Sequence, residues 1–310
     1  MRSTLDSEFG GVMLPTPVLV AAGCLRSPKE LHGLVDLRKL GGIVTTSITL
    51  APHAGAPVPR ITETPSGVLS AVGWQNPGVD AFIEHEIPPL LKTGVPIIVS
   101  IAGSSVSEYV QVATALGHAG GIAGLELNLA CPDEERGGGI FAHRADRAAE
   151  VAGAVSRLTR LPVFAKLSAD AYEIVDIAGA CVHAGVSGLT LISGPLGMAI
   201  GVMSMTPQLG ATIGRLSGPA IRPIAVRAVY EVARALPEIP IFGVGGIVEP
   251  QHALEMMLAG ASAVQVGTAM LVNPSAPVDI AKGLLAYLKA MGLASPSEIG
   301  SQPRLSKAGA

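Results

Sequence analysis

The stretch PIFGVGGIVEPQHALEMMLAGASAVQVGTAM, residues 240–270, decides the fold. Two short apolar runs, 240–243 and 263–266, each lead into glycine, and 250–259 between them carries helical spacing with proline at its first turn. Apolar runs this short, without polar alternation, read as strands buried on both faces, so the stretch is one strand–helix–strand unit of a parallel sheet. Reading outward, the same unit recurs. Strand-like runs fall at 17–21, 42–46, 96–101, 124–128, 162–167 and 188–192, and helical spacing at 28–39, 105–118, 145–159, 171–184, 223–236 and 277–291. Eight such strands in 310 residues predict an α/β fold, a (β/α)8 TIM barrel with extended loops after strands 2, 4 and 6. The whole chain, 1–310, reads as one domain, with 1–12 as a lead-in and 300–310 as a tail. A doubly wound sheet is the weaker choice, because no GxGxxG follows the first strand.

Composition narrows the function. Hydrophobic residues are 49% and charged residues 15% of the chain, enough for a large core, and a net charge of −3 without a basic run speaks against nucleic acid. Residues 177–214 hold no Asp, Glu, Lys or Arg, but glycine and proline interrupt them, so no membrane-spanning helix is expected. Three cysteines with no CxxC spacing read as reduced thiols, with no disulfide, metal or iron–sulfur site in this chain. With no apolar signal segment at the start, a cytoplasmic protein is expected.

Candidate chemistry gathers at strand ends, where this fold places its active sites. Gly245, Gly246, Gly267 and Thr268 follow the last two strands and allow main-chain N–H groups to approach a phosphate; Ser217 and Gly218 could add donors. Lys166 ends an apolar strand as a cation facing an anion or an electron-rich ring, and Asn128 ends the strand expected beside it. Cys131 lies three residues on, in a polar, glycine-rich loop read as mobile, where a thiolate can act as base or nucleophile. Cys181, within an apolar helical pattern, reads as a small core hydrophobe.

Taken in order, GGIVTTSITLAP (41–52), PRITETPSG (59–67), GWQNPG (73–78), VSIAGSS (99–105), LELNLACP (125–132), AKLSAD (165–170), RLSGPAIRPIA (215–225), FGVGGI (242–247) and SAVQVGTAM (262–270) resemble the dihydroorotate dehydrogenase family, class 1, closest to the class 1B catalytic subunit. The resemblance implies FMN across the barrel mouth, held by Ala22, Gly23, Thr46, Ser47, Ser100, Asn128, Lys166, Ile192, Ser217, Gly218, Gly245, Gly246, Gly267 and Thr268. It implies that Cys131 takes a proton from one ring carbon while a hydride leaves the next for the flavin. The substrate would meet Thr46, Ser70, Val72, Gly73, Trp74, Asn128, Asp133, Ser193 and Gly194.

Several of those positions depart from the family pattern. Its Asn-Ala-Ser-Gly after strand one is here Val20, Ala21, Ala22 and Gly23, and its second-strand lysine is Thr46. Its asparagine before the glycine turn is Ser70, the one two residues after the cysteine is Asp133, and its Asn-Thr or Asn-Ser pair is Ser193 and Gly194. Each lost charged or bidentate partner costs about 1.5–3 kcal/mol. The expectation is therefore an FMN oxidoreductase of CH–CH groups acting on something other than dihydroorotate, with a lower flavin potential than its relatives. A functional dihydroorotate dehydrogenase of pyrimidine synthesis, and a non-catalytic interaction barrel, are the alternatives. A homodimer is expected, with an iron–sulfur flavoprotein electron-transfer subunit as a possible partner.

Overall fold

The structure, a computed structural model, describes residues 3–31 and 33–300. Eight parallel strands close into a barrel: β1 (Val18–Val20), β2 (Gly42–Val44), β3 (Ile97–Ile101), β4 (Gly124–Asn128), β5 (Val163–Ser168), β6 (Gly188–Ser193), β7 (Ile241–Val244) and β8 (Ala263–Val266), with β8 pairing back onto β1. Each falls on an expected run, with ends that agree to within one or two residues.

Six helices of ten residues or more follow the later strands among the described residues: Val106–Ala119, Ala145–Leu158, Ile174–His183, Arg222–Ala235, Pro250–Ala259 and Ala276–Met291. Ser105 caps the first, its hydroxyl accepting from the Glu108 amide at 3.2 Å. In Ala145–Leu158 the buried positions Ala148, Val151, Ala152 and Val155 repeat at three and four residues, the stripe that faces the sheet. The helix expected at 28–39 does not form. Two 3-10 turns, Pro28–Leu31 and Leu37–Lys39, stand there; Gly33 at φ +78° breaks the run, and the Asp36 side chain takes the Arg38 amide locally. The segment after β2, read as loop, ends instead in a helical stretch, Val79–Ala81, Phe82–Glu86 with π-type bonding, and Ile87–Leu91. Among the described residues no helix is long and apolar enough to cross a membrane.

The two ends of the barrel differ in chemistry. At the N-terminal end a hairpin, Ser7–Phe9 with Val12–Leu14, inserts Phe9 face to face with Phe242 (centroids 3.5 Å apart) and against Phe164 (5.4 Å). Side chains at Gly124 or Gly188 would meet Phe164 and Phe9, so glycine there leaves room for the aromatic plug. The lead-in expected at 1–12 is thus partly a structural element. At the C-terminal end the loops after β2 and β6 form one four-stranded antiparallel sheet over the mouth, in the order Leu196–Met198, Ile213–Ser217, Gly67–Ser70, Ile61–Thr64. The loop after β4 is compact, with a small hairpin, Pro132–Asp133 against Gly139–Ile140, and the Phe141 amide bonded back to the Cys131 carbonyl at 3.0 Å.

Candidate active site

The floor of the site is a polar layer inside the barrel. Strand alternation turns Leu125 and Leu127 to the helices and Glu126 and Asn128 to the barrel axis. Glu126, fully buried, accepts from Lys166 Nζ on β5 at 3.2 Å, from Thr190 Oγ1 on β6 at 2.9 Å and from Gln265 Nε2 on β8 at 2.9 Å. A buried carboxylate persists only when charge-paired and hydrogen-bonded, and here four strands supply that environment.

Above it lies a rim of small polar groups. Asn128 Nδ2 donates to Ser47 Oγ at 3.1 Å, and Ser47 Oγ lies 2.9 Å from Ser100 Oγ, joining the ends of β2, β3 and β4. Register places Lys166 directly beside Asn128 on one side and Thr190 on the other. Ser47, Ser100, Asn128 and Lys166, all expected to hold cofactor, are therefore brought together.

Cys131 is 0% exposed, and its thiol donates to the Asn128 carbonyl at 2.9 Å, which also accepts from Tyr109 Oη at 2.6 Å. Burial pushes the thiol up to about 11, while hydrogen bonding from Tyr109, the charge of Arg215, the main chain at Gly103 and the Trp74 side chain pull the other way. The residue was expected on a mobile, polar loop; it is instead a sequestered thiol ringed by groups that favour its anion. Trp74 packs edge-on against His53 with centroids 5.8 Å apart, and Asn76 fixes that loop by accepting the Thr49 and Gly78 amides.

Glycines shape the far side of the mouth. Gly218 (φ +94°) sits where an added Cβ would lie 2.8 Å from the Gly67 Cα and 3.7 Å from the Thr268 methyl, so the lid and the end of β8 meet there. Gly245 and Gly246, at φ +128° and +70° after β7, turn tightly against Ile221 and Arg222. Gly267 lies beside Ala21 and Cys24 at the end of β1; Gly23 takes φ +85° with open space at its Cβ position, and Ala22 before it is half-buried. Thr46 is half-buried, Ile192 is buried, and Ser217 Oγ donates to the Val68 carbonyl at 3.3 Å.

On the substrate side, Ser70 stands in the lid directly opposite Arg215, and Val72 and Gly73 continue toward Trp74, with the Val72 carbonyl accepting the Ala56 amide at 2.9 Å. The Ser193 carbonyl accepts the Ala169 amide at 3.2 Å, and Gly194 packs under the Leu216 carbonyl. Asp133 is placed otherwise than its expected role suggests. It is buried and paired with Arg147 Nε of the following helix at 2.6 Å, so its charge is met from behind the loop. Arg147 also contacts Glu150 and lies 3.6 Å from Glu135.

Sequence reasoning passed over Glu126, Thr190, Gln265, Tyr109 and Arg147. A carboxylate between two leucines in LELN was the one available signal, because an acidic residue mid-strand in an apolar run needs an internal partner.

Fold and candidate site together define a TIM barrel whose polar and thiol side chains gather at the strand C-termini beneath a loop sheet, where enzymes of this fold carry their active sites. The family described as dihydroorotate dehydrogenase matches residues 4–288, and the chain belongs to it. Among its relatives is the dihydroorotate dehydrogenase B (NAD(+)) catalytic subunit of Geotalea daltonii, 44% identical over 298 residues, covering 96% of this chain and 97% of that one. The proteins of the same name from Desulforudis audaxviator and Desulforamulus reducens are 47% and 44% identical over 299 residues, covering 96% of this chain and 97% and 98% of theirs. The family is flavin-dependent and acts on CH–CH groups.

Proposed function

We propose that this chain binds FMN and interconverts a C–C and a C=C bond next to a carbonyl, with Cys131 as the acid–base group. The observation that carries the proposal is the hydrogen-bonded set from the Cys131 thiol through Asn128 to Ser47 and Ser100, with the Lys166–Glu126 pair at the neighbouring strand positions. The residues present fit FMN: glycine-lined ends of β7 and β8 with Thr268 and Gly218 suit its phosphate, and the hydroxyl–amide rim with Lys166 suits a ring that becomes anionic on reduction. When bound, FMN supplies the acceptor for the hydride. Cys131, as thiolate, removes the proton from the adjacent carbon; Asn128 and the small hydroxyls orient the ring, and the lid sheet and Trp74 exclude water.

Dihydroorotate is the substrate that the relatives' names support, with orotate as product. A second reading, a different ring substrate, is favoured by one set of observations. Thr46, Ser70, Ser193 and Gly194 stand where the family resemblance expects a lysine, two asparagines and a threonine or serine, and Asp133 is engaged by Arg147. Anaerobic mixing of the FMN-loaded protein with L-dihydroorotate decides between them. Prompt bleaching of the flavin and a tight spectral shift with orotate support the first reading; neither response, with a flavin that dithionite still reduces, supports the second.

The name shared by the relatives, catalytic subunit with NAD(+), supports action with a partner subunit, for which we propose an iron–sulfur flavoprotein that transfers electrons; a homodimeric catalytic core in the cytoplasm completes the proposal. Co-expression with an iron–sulfur flavoprotein subunit, followed by gel filtration, tests the assembly.

A further inference from the structure

We propose that Arg215 is the positioning residue of the Cys131 thiol, latching its loop to the lid and supplying the positive charge that the thiolate meets. The inference rests on Cys131 being the acid–base group.

Arg215 occupies the middle of the lid strand Ile213–Ser217, in register with Leu196 on one side and Ser70 on the other. Its guanidinium binds three separate loops. Nη2 donates to the carbonyl of Ala130, the residue before Cys131, at 2.9 Å; Nη1 donates to the carbonyl of Gly194 after β6 at 2.8 Å; and Nη1 lies 3.6 Å from Asp170 Oδ2 after β5. A planar fork holding two carbonyls fixes loop geometry in a way a flexible ammonium does not. The side chain is only 28% exposed, so its charge is weakly screened.

The groups around the thiol come from four elements: Tyr109 from the helix Val106–Ala119, with Glu108 next to it, Trp74 from the loop after β2, the main chain at Gly103 after β3, and Arg215 from the lid. Arg215 is the cation in this set, and Asp170 is its counter-charge. Burial opposes the thiolate and the other groups that meet it are neutral hydrogen-bonding partners, so removing the proton inside the closed loop draws on that charge.

The test follows Cys131 alkylation by iodoacetamide in the FMN-loaded protein from neutral to strongly alkaline pH. Mass spectrometry of the peptide that carries Cys131 separates it from Cys24 and Cys181. The pH inflection reports the thiolate, and the limiting rate reports loop opening. Arg215→Gln is expected to raise the inflection by about one unit, tenfold less thiolate at a given pH. Arg215→Lys is expected to keep the inflection near that of the wild type but raise the limiting rate several-fold, because the fork on Ala130 and Gly194 is lost. Asp170→Asn leaves the arginine in place and is expected to lower the inflection, which keeps the proposal testable if an Arg215 variant fails to fold. An inflection unmoved by Arg215→Gln, or by Asp170→Asn, overturns the proposal. The reading beneath it fails separately: Cys131→Ser protein whose flavin is reduced by L-dihydroorotate at the wild-type rate removes the acid–base thiol itself, whatever the alkylation profiles show.

Discussion

Glu126 and Cys131 carry opposite obligations within one strand-and-loop segment. Glu126 is an anion with no solvent, stabilised by Lys166, Thr190 and Gln265. Removing one partner of a buried pair leaves the other uncompensated, so Glu126→Gln should lower unfolding free energy by about 3 kcal/mol, read as a lower urea midpoint. The unpaired Lys166 should also raise the midpoint potential of the bound flavin, which a redox titration with a reference dye reports. Cys131, by contrast, is neutral at rest and must ionise to work. Cys131→Ser should slow substrate-driven flavin reduction by roughly 10²–10⁴-fold with flavin still bound, since a serine hydroxyl ionises far less readily; stopped-flow kinetics measures it. Cys131, Asn128 and Lys166 were legible because reactive or charged types at strand ends stand out in apolar runs. Glu126 was not, because its partners lie on three other strands and only barrel closure brings them to it.

At the scale of elements, the barrel strands and most helices could be read directly, because each is a local pattern: an apolar run, or a stripe at helical spacing. The lid could not. Its middle pairing sets Arg215 against Ser70 and Ser217 against Val68, residues with four of the eight barrel strands between them in sequence, and turn-rich segments give no register. The lid nevertheless depends on close backbone approach at Gly194, where any side chain would run into the Leu216 carbonyl. Gly194→Ala should displace the strand Ile213–Ser217 at a cost of about 1–3 kcal/mol, the range for overpacking. Hydrogen exchange checks this: amides of Ile213–Ser217 and Gly67–Ser70 should lose protection while those of β4 and β5 keep theirs. Uniform protection across the lid would show that the contact yields without moving the sheet.

The whole molecule is a barrel plugged by aromatics at one end and opened to polar chemistry at the other; Cys131 and Cys181 are buried, and Cys24 is half-buried near the end of β1. Burial pushes Cys24 and Cys131 up to about 11 and Cys181 to about 12, against an ordinary 9.0, with Lys166 opposing the shift at Cys24. The sign follows from linkage. Above pH 9 the unfolded chain releases these protons while the folded chain keeps them, so the folded state binds more protons and stability falls as pH rises. Below pH 9 both states are protonated and the contribution is fully present. Each thiol adds a slope of up to about 1.4 kcal/mol per pH unit, roughly 4 for the three together, lost through the folded values near 11 to 12. Tyr109, raised by burial above its usual 10.0, extends the decline. Urea unfolding from pH 7 to 11 should therefore show a plateau and then a steep alkaline loss. Cys181 lies on the helix Ile174–His183 against the barrel wall, so Cys181→Ala removes one titrating group without touching the mouth. It should lower the plateau by the lost packing and flatten the alkaline slope by about a third; an unchanged slope would mean that the helix opens to water before the thiol ionises.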